Sequence, residues 1–563
     1  MIETLYLHGN TAVINYNEGY PTRNVSILNS NSFKKLIDAF LVNGNKFTVR
    51  RLHKEFPEGN ITQEILDLVR QIHVFELDEV KHPLIKDIKF VQKLIEDVYE
   101  YWREYQRCSV IYLGRKSKSE LVNFIDKDTE FNRIMLSFYR NLQEKAQGKP
   151  NKIYRQLRAG TNAAITLRKK EHKIPKAYDN LDGIMFIDSV LLHSPLLLHP
   201  KTNKREGHFE EVFENPLSDF KRDNNNFYCY PAKMGTQLAY VYFHKDFVFS
   251  GISLANLFEP ATTEDIATRE PDILVAFGVK DGKDDMVFYN DKENDVVVAK
   301  ISYQDKIEYF GYMKKIMLTA YNVSMMAKGN LPIHGAMVNI SLTNGKKHGV
   351  VFMGDSGAGK SEIIEEISNL GGDTIEDIEV IFDDMGAFRI NDEGEVVAQG
   401  TEIGAFVRLD DLDRALPYQA MDRSIFMNPE STTNARVIIP ITDFETVQSD
   451  HKVDYFLYAN NYDAEIGVKL FDSVEESKAT FVEGKRMAKG TTHEFGLTYS
   501  FFANPFGPLQ QEEVCLPLID KYWDAMKKSN VQIGEVYTNL GVENRTEQSL
   551  KDSAQSVLDL IEK

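Results

Sequence analysis

Apolar residues recur at helical spacing through much of the first 150 positions. SFKKLIDAFL and TQEILDLVRQI predict helices, and TAVINY a short strand between turns. From 88 to 147 the runs IKFVQKLIEDVYEYW and FNRIMLSFYRNLQE place apolar residues on one face of longer helices. A basic stretch follows over 149–177 (KPNKIYRQLRAG, LRKKEHKIPK), and then GIMFIDSVLL, LAYVYF and DFVFSG read as strands.

The pattern changes near 262–272, at ATTEDIATREPD. Beyond it short apolar runs alternate with turns, and DILVAFGV, VVVAKI, MVNISL, GVVFMG, ARVIIPI and YFLYAN all predict strands. Helices are expected at 361–369, near 474–486, at 511–528 and at 546–562. This divides the chain into an α+β region, 1–261, and a strand-rich α/β region, 262–563. The first is a candidate substrate-side domain.

The chain has 563 residues, enough for two or three cores, and 42% of them are hydrophobic. Its formal net charge is −18, which repels nucleic-acid backbones and anionic lipid in bulk. An anionic small substrate would therefore need a local basic pocket. The three cysteines, Cys108, Cys229 and Cys515, are far apart and form no CxxC, so neither a disulfide framework nor a zinc site is expected. MIETLYLHGN carries Glu3 and no long apolar run, unlike a signal peptide, and no stretch is long enough to span a bilayer. A cytoplasmic protein with no membrane or nucleic-acid partner is the expectation.

The chemistry concentrates at GDSGAGKS, which fits G-x-x-x-x-G-K-[ST]. Gly354, Gly357 and Gly359 would let the backbone N–H groups of Asp355, Ser356, Ala358 and their neighbours turn inward on phosphate oxygens. Lys360 would set a charge on the β- and γ-phosphates, Ser361 would ligate Mg²⁺, and the following helix would add its positive end. The apolar strand HGVVFM before the loop and the amphipathic SEIIEEISNL after it supply the required context. Upstream, Asn344-Gly345 between two apolar runs predicts a hairpin. The loop's strand then has an antiparallel neighbour, where most such loops sit in parallel βαβ units.

A phosphate loop also needs a carboxylate that holds metal. Two acidic groups follow it: Glu376-Asp377 and Asp383-Asp384, the latter closing the run VIF. Spacing alone does not choose between them. Upstream lie Lys314-Lys315 and, at the start of a strand, His334.

The order of lysine pair, histidine, hairpin, phosphate loop and acidic pair resembles the phosphoenolpyruvate carboxykinases, with HPr kinase/phosphorylase a more distant likeness. YFGYMKKIML resembles the segment with two active-site lysines, and LPIHGAMVNI the one with a metal-binding histidine. TTNARVIIPI resembles the stretch whose arginine contacts the transferred phosphoryl group, FVEGKRMAKGTTHEFG the lid, and LTYSFFANPFGP with EVYTNLG the closing strands. The likeness covers about 271–545. It implies a carboxykinase-like nucleotide domain with a mixed sheet, using ATP, Mg²⁺ and Mn²⁺ to convert oxaloacetate to phosphoenolpyruvate, CO2 and ADP. By the same likeness Lys314, Lys360, Arg436 and Ser356 are catalytic. Lys315, His334 and Asp377 hold Mn²⁺, with Asp383 the alternative acid, and Ser361 holds Mg²⁺. A lysine ligates metal only as the neutral amine, which requires a lowered pKa.

Three departures bear on the acceptor. The family's carboxylate-binding arginine motif has no clean copy, with Gly114-Arg115 and Arg158 as substitutes. The lid offers His493 in place of an arginine, with Arg486 a few residues earlier. Residues 1–250 resemble neither family. The alternatives are a kinase acting on a protein or small-molecule hydroxyl, with His334 or an aspartate near 377 as base, and a nucleotide sensor without turnover.

Overall fold

The computed structural model describes residues 4–16, 23–113, 120–150, 158–372, 374–409, 423–432, 434–489, 495–543 and 547–563. The chain forms two compact units, one of residues 1–169 and 185–196, the other of 170–184 and 197–563.

The first unit pairs β1 (Leu5–His8) and β2 (Thr11–Asn15) as an antiparallel hairpin. Helices α1 (Asn31–Asn43), α2 (Ile61–Val74) and α3 (Ile88–Glu104) follow, then β3 (Gln106–Tyr112), α4 (Glu120–Gln147), β4 (Ala163–Arg168) and β5 (Met185–Leu192). β2, β3 and β4 run parallel, and β5 closes antiparallel on β4. The predicted apolar faces meet in one core that includes Phe40, Leu68, Val91 and Phe138. Ser30 and Asn60 side chains cap α1 and α2 by accepting from Phe33 and Gln63 N–H groups.

The second unit holds two larger sheets. In one, β6 (Phe227–Met234) and β7 (Gln237–His244) form a hairpin, and β8 (Ile273–Val279) pairs in parallel with both β7 and β10 (Val296–Ser302), which β9 (Met286–Asp291) flanks. All seven residues of β8 are buried, hence its unbroken apolar run. The compositional change near 262 falls inside this unit, between β7 and β8. Ile273 sits opposite Ala239 there, so 1–261 and 262–563 are not the structural units. DFVFSG is not a strand but a 3₁₀ turn leading into the short helix Val248–Ser253, whose residues are all buried. A short apolar run with no alternation fits a buried helix as well as a buried strand.

After α5 (Gly311–Ala327) comes the sheet that bears the phosphate loop. β11 (Leu331–Leu342) and β12 (Lys347–Met353) form the expected hairpin, Ser341 opposite Lys347, with Gly345 at φ 84 in the turn. α6 (Lys360–Leu370) leads to β13 (Ile375–Ile390), which pairs antiparallel with β11 on its other side. β14 (Val396–Gly400) extends that edge. β15 (Gly404–Arg408) and β16 (Ile425–Met427) flank β17 (Arg436–Pro440) in a smaller sheet. Beyond β12 the main sheet continues in parallel through β18 (Tyr455–Asn460) to β22 (Gln532–Tyr537), on which β19 (Val468–Leu470) closes antiparallel. The hairpin of β20 (Lys485–Lys489) and β21 (Phe495–Tyr499) lies between them in sequence. The result is an α/β fold with mixed sheets. Among the described residues no helix is long and apolar enough to cross a membrane.

In the first unit one fully buried carboxylate ties several elements together. Asp128 accepts from Tyr16 at 3.2 Å, Ser109 at 3.3 Å and Thr161, and pairs with His193 Nε2 at 2.5 Å. Asp128→Ala strands four donors at once and is expected to cost about 3 kcal/mol or more. Urea unfolding followed by circular dichroism would check this, with a lowered midpoint expected.

Candidate active site at the phosphate loop

β12 is buried from Gly349 to Met353 and delivers the chain directly into the loop 354–361. Gly359 takes φ 100, and a Cβ there would lie 2.7 Å from Thr538 Cβ, so glycine is required on both counts. Outside partners hold the loop's carbonyls. Thr538 Oγ1 donates to Ala358 O at 2.6 Å, and Asn461 Nδ2 to Gly357 O at 3.0 Å. Gly354 N–H donates to His334 O at 3.2 Å, which seats the loop against β11. Lys360 Nζ curls back to Gly354 O at 2.7 Å and Asp355 O at 3.3 Å. Ser356 and Gly357 are exposed at the loop's crest.

The two acidic groups part company. β13 is a continuous strand of 16 residues, and Asp377 stands exposed on it opposite Ser341. Asp383 and Asp384 stand opposite Ala336 and Gly335, beside His334. At ~3.3 Å per residue Asp377 is roughly 20 Å away along the strand, so it takes no part in the site. Asp384 occupies the place expected of it. The register also shifts between Met337 and Val338, leaving Ile381 as an extra residue.

Asp383 accepts from Ser361 Oγ at 3.1 and 3.2 Å, bringing a carboxylate to the loop's serine. Burial raises its pKa, against the opposing pull of Lys360. Asp384 is the hub. Its carboxylate meets Lys314 Nζ at 2.6 Å, Lys315 Nζ at 3.5 Å and His334 Nε2 at 3.1 Å. Burial works to raise Asp384, but the two lysines and the histidine outweigh it and hold the carboxyl well below its ordinary value. Its backbone has φ 116, outside the extended range of a strand.

α5 places the two lysines differently. Lys314 is fully buried, and its ammonium also meets Glu402 at 3.1 Å. Burial would lower its pKa, yet the Asp384 and Glu402 carboxylates raise it. Lys314 thus acts on Asp384 rather than reaching outward. Lys315 is partly exposed, 4.1 Å from the Phe506 ring centroid. Burial, with Lys314 and Arg436 nearby, lowers it to about 8 despite the attraction of Asp384. That is the neutral-amine tendency a metal-ligating lysine needs. Arg436 opens β17 with its guanidinium 5.3 Å from the Phe406 ring, and its buried Nε has no hydrogen-bond partner among the described residues.

His334 Nδ1 faces Ala503 O at 2.7 Å; a carbonyl only accepts, so Nδ1 carries the proton. Nε2 faces Asp384 Oδ1 at 3.1 Å, where it can donate to that carboxylate or, as the neutral tautomer, offer a lone pair to a metal beside it. In the second state His334, Asp384 and the Lys315 amine would fit one divalent ion. Among the described residues no group of three or more His, Cys, Asp or Glu side chains is arranged for a metal, and this set reaches three donors only by counting lysine.

Of the expected residues, Lys314, Lys315, His334, Asp383, Arg436 and the loop come together, and Asp377 does not. Glu402, lowered into the site just after β14, was not anticipated; burial pushes its carboxyl up to about 7. Nothing in TEIGAF marks it as different from any acid at a strand end. Arg486 is also in place, bonded to the loop itself. Arg158 lies in the first unit, donating to Ser194 O at 2.5 Å. Gly114, Arg115 and His493 lie outside the described residues. No family model and no curated protein matches the chain.

Titrating Mn²⁺ into the variants separates the two acids. Asp384→Asn and His334→Ala are each expected to weaken Mn²⁺ binding by about tenfold or more, while Asp377→Asn keeps the wild-type affinity. Calorimetry or electron paramagnetic resonance of bound Mn²⁺ would read this.

Proposed function

We propose that the second unit performs phosphoenolpyruvate carboxykinase-like phosphoryl transfer, in which ATP and oxaloacetate give phosphoenolpyruvate, CO2 and ADP. The observation that most supports this is the grouping of Lys315, His334 and Asp384 against the phosphate loop, with Arg436 beside them. Transfer to a simple hydroxyl needs a base and a metal at the phosphates; it has no need of a lysine pair and an arginine gathered on the acceptor side.

In this reading the loop N–H groups and the start of α6 receive the β- and γ-phosphates. Lys360 exchanges its contacts with Gly354 O and Asp355 O for phosphate oxygens. Ser361 and Asp383 would hold Mg²⁺, and Lys315, His334 and Asp384 Mn²⁺; these ions supply concentrated positive charge to phosphoryl and enolate oxygens. Loss of CO2 leaves the electron pair of the broken C–C bond in an enolate. Its oxygen bonds to the γ-phosphorus as the bond from that phosphorus to the β–γ bridging oxygen breaks, and ADP leaves with the pair. Arg436 Nε–H, without a partner among the described residues, could be offered to an anionic substrate or the phosphoryl in flight. Lys314 and Glu402 hold Asp384 in place from behind.

The test is a coupled assay with ATP, oxaloacetate and Mg²⁺, with and without Mn²⁺, in which phosphoenolpyruvate is detected. Turnover should require Mn²⁺, vanish in Lys360→Ala and fall about a hundredfold or more in Arg436→Ala. ATP binding without phosphoenolpyruvate would overturn the carboxykinase reading. It would leave a kinase for another hydroxyl, or a nucleotide sensor.

A further inference from the structure

The phosphate loop contains an acid, which is the wrong charge for its task. Asp355 follows Gly354 directly, and its carboxylate turns back on the loop: Oδ1 accepts from Ser356 N–H at 2.7 Å. Oδ2 accepts from Arg486 Nε at 2.8 Å, and Arg486 Nη1 donates to Ser356 O at 3.0 Å. The arginine side chain is 8% exposed and the aspartate 13%. Neither is a solvated surface group.

Arg486 is delivered by β20, 131 positions along the chain from Asp355. The delivery is secured next door. Met487 N–H donates to Asn461 Oδ1 at 2.8 Å, and Asn461 Nδ2 donates to both Met487 O and Gly357 O at 3.0 Å. Loop and strand thus share one side-chain amide. His334 Nδ1 also lies 3.7 Å from Asp355 Oδ1, and Lys360 Nζ lies 3.3 Å from the same residue's carbonyl oxygen.

A bare carboxylate in this position would repel an incoming polyphosphate at short range, in surroundings that screen poorly. We propose that Arg486 is a positioning residue that masks this charge. It holds Asp355 as a neutral ion pair, so the loop keeps its positive potential and nucleotide affinity. Arg486 acts through Asp355 rather than by touching the nucleotide. The proposal rests on the loop binding a nucleotide phosphate.

The test is MgATP binding by calorimetry on the full chain, with a thermal melt of each variant. Arg486→Gln should weaken binding by about tenfold or more, because the buried carboxylate loses its partner. Arg486→Lys keeps the charge and should stay within about threefold of wild type, although it loses the guanidinium fork. The deciding variant is the double substitution: Asp355→Asn with Arg486→Gln should recover binding to within about threefold of wild type, since one neutral pair replaces another and no bare carboxylate is left. A purely mechanical tie gives the opposite pattern. Arg486→Lys would then be as weak as Arg486→Gln, and the double variant would stay as weak as Arg486→Gln; either result overturns the mask. Should Arg486→Gln not fold, the folded Lys variant decides by the same limits. Lys360→Ala is the control for the underlying reading. If wild type does not bind MgATP, or Lys360→Ala binds as well as wild type, the phosphate-loop reading falls and the mask with it. If that control behaves and only the Arg486 pattern fails, the mask alone falls.

Discussion

One carboxylate joins the parts of this site. Asp384, on β13, bonds the lysines of α5 and the histidine of β11, and so fixes a helix and two strands relative to one another. Its backbone stands at φ 116 inside a strand, a conformation that costs a non-glycine residue about 1–3 kcal/mol. The ion pairs around it hold it there. The same contacts keep it ionised although it is buried, and an ionised carboxylate beside an imidazole is a donor set that suits a divalent cation.

The charges around that hub are graded by depth. Lys314 lies innermost, neutralised by Asp384 and Glu402. Lys315 and Arg436 lie further out and are matched less fully, resting near the faces of Phe506 and Phe406. Aromatic faces attract cations without cancelling their charge. Within an acidic chain these two cations are thereby left incompletely neutralised beside the hub.

Local chemistry was legible in the sequence and long-range register was not. The phosphate loop announced itself as strand, glycine turn and helix, and Asn344-Gly345 announced the hairpin before it. Both depend on residues a few positions apart. Choosing Asp384 over Asp377 depends on where β13 meets His334, and the extra residue at Ile381 hides that from any count of alternating positions. Glu402 enters by tertiary contact alone, and Arg486, named with the lid, reaches the loop from 131 positions away. Fully buried strands lie on both sides of the break near 262, β7 before it and β8 after it, and a parallel pair joins them, so it was a boundary of pattern and not of structure.

The antiparallel hairpin bearing the loop has a consequence for assembly. Lys314, Lys315, His334, the phosphate loop, Asp383, Asp384 and Glu402 all fall between residues 311 and 402, and each strand from β11 to β14 joins a partner close to it in sequence. Closing such short connections costs little chain entropy, and contacts of this kind form fast. A parallel βαβ arrangement would have made the loop's strand wait for distant partners. Here the charged cluster closes within one short stretch of chain, and β17 and β20, farther along it, bring Arg436 and Arg486 to that cradle.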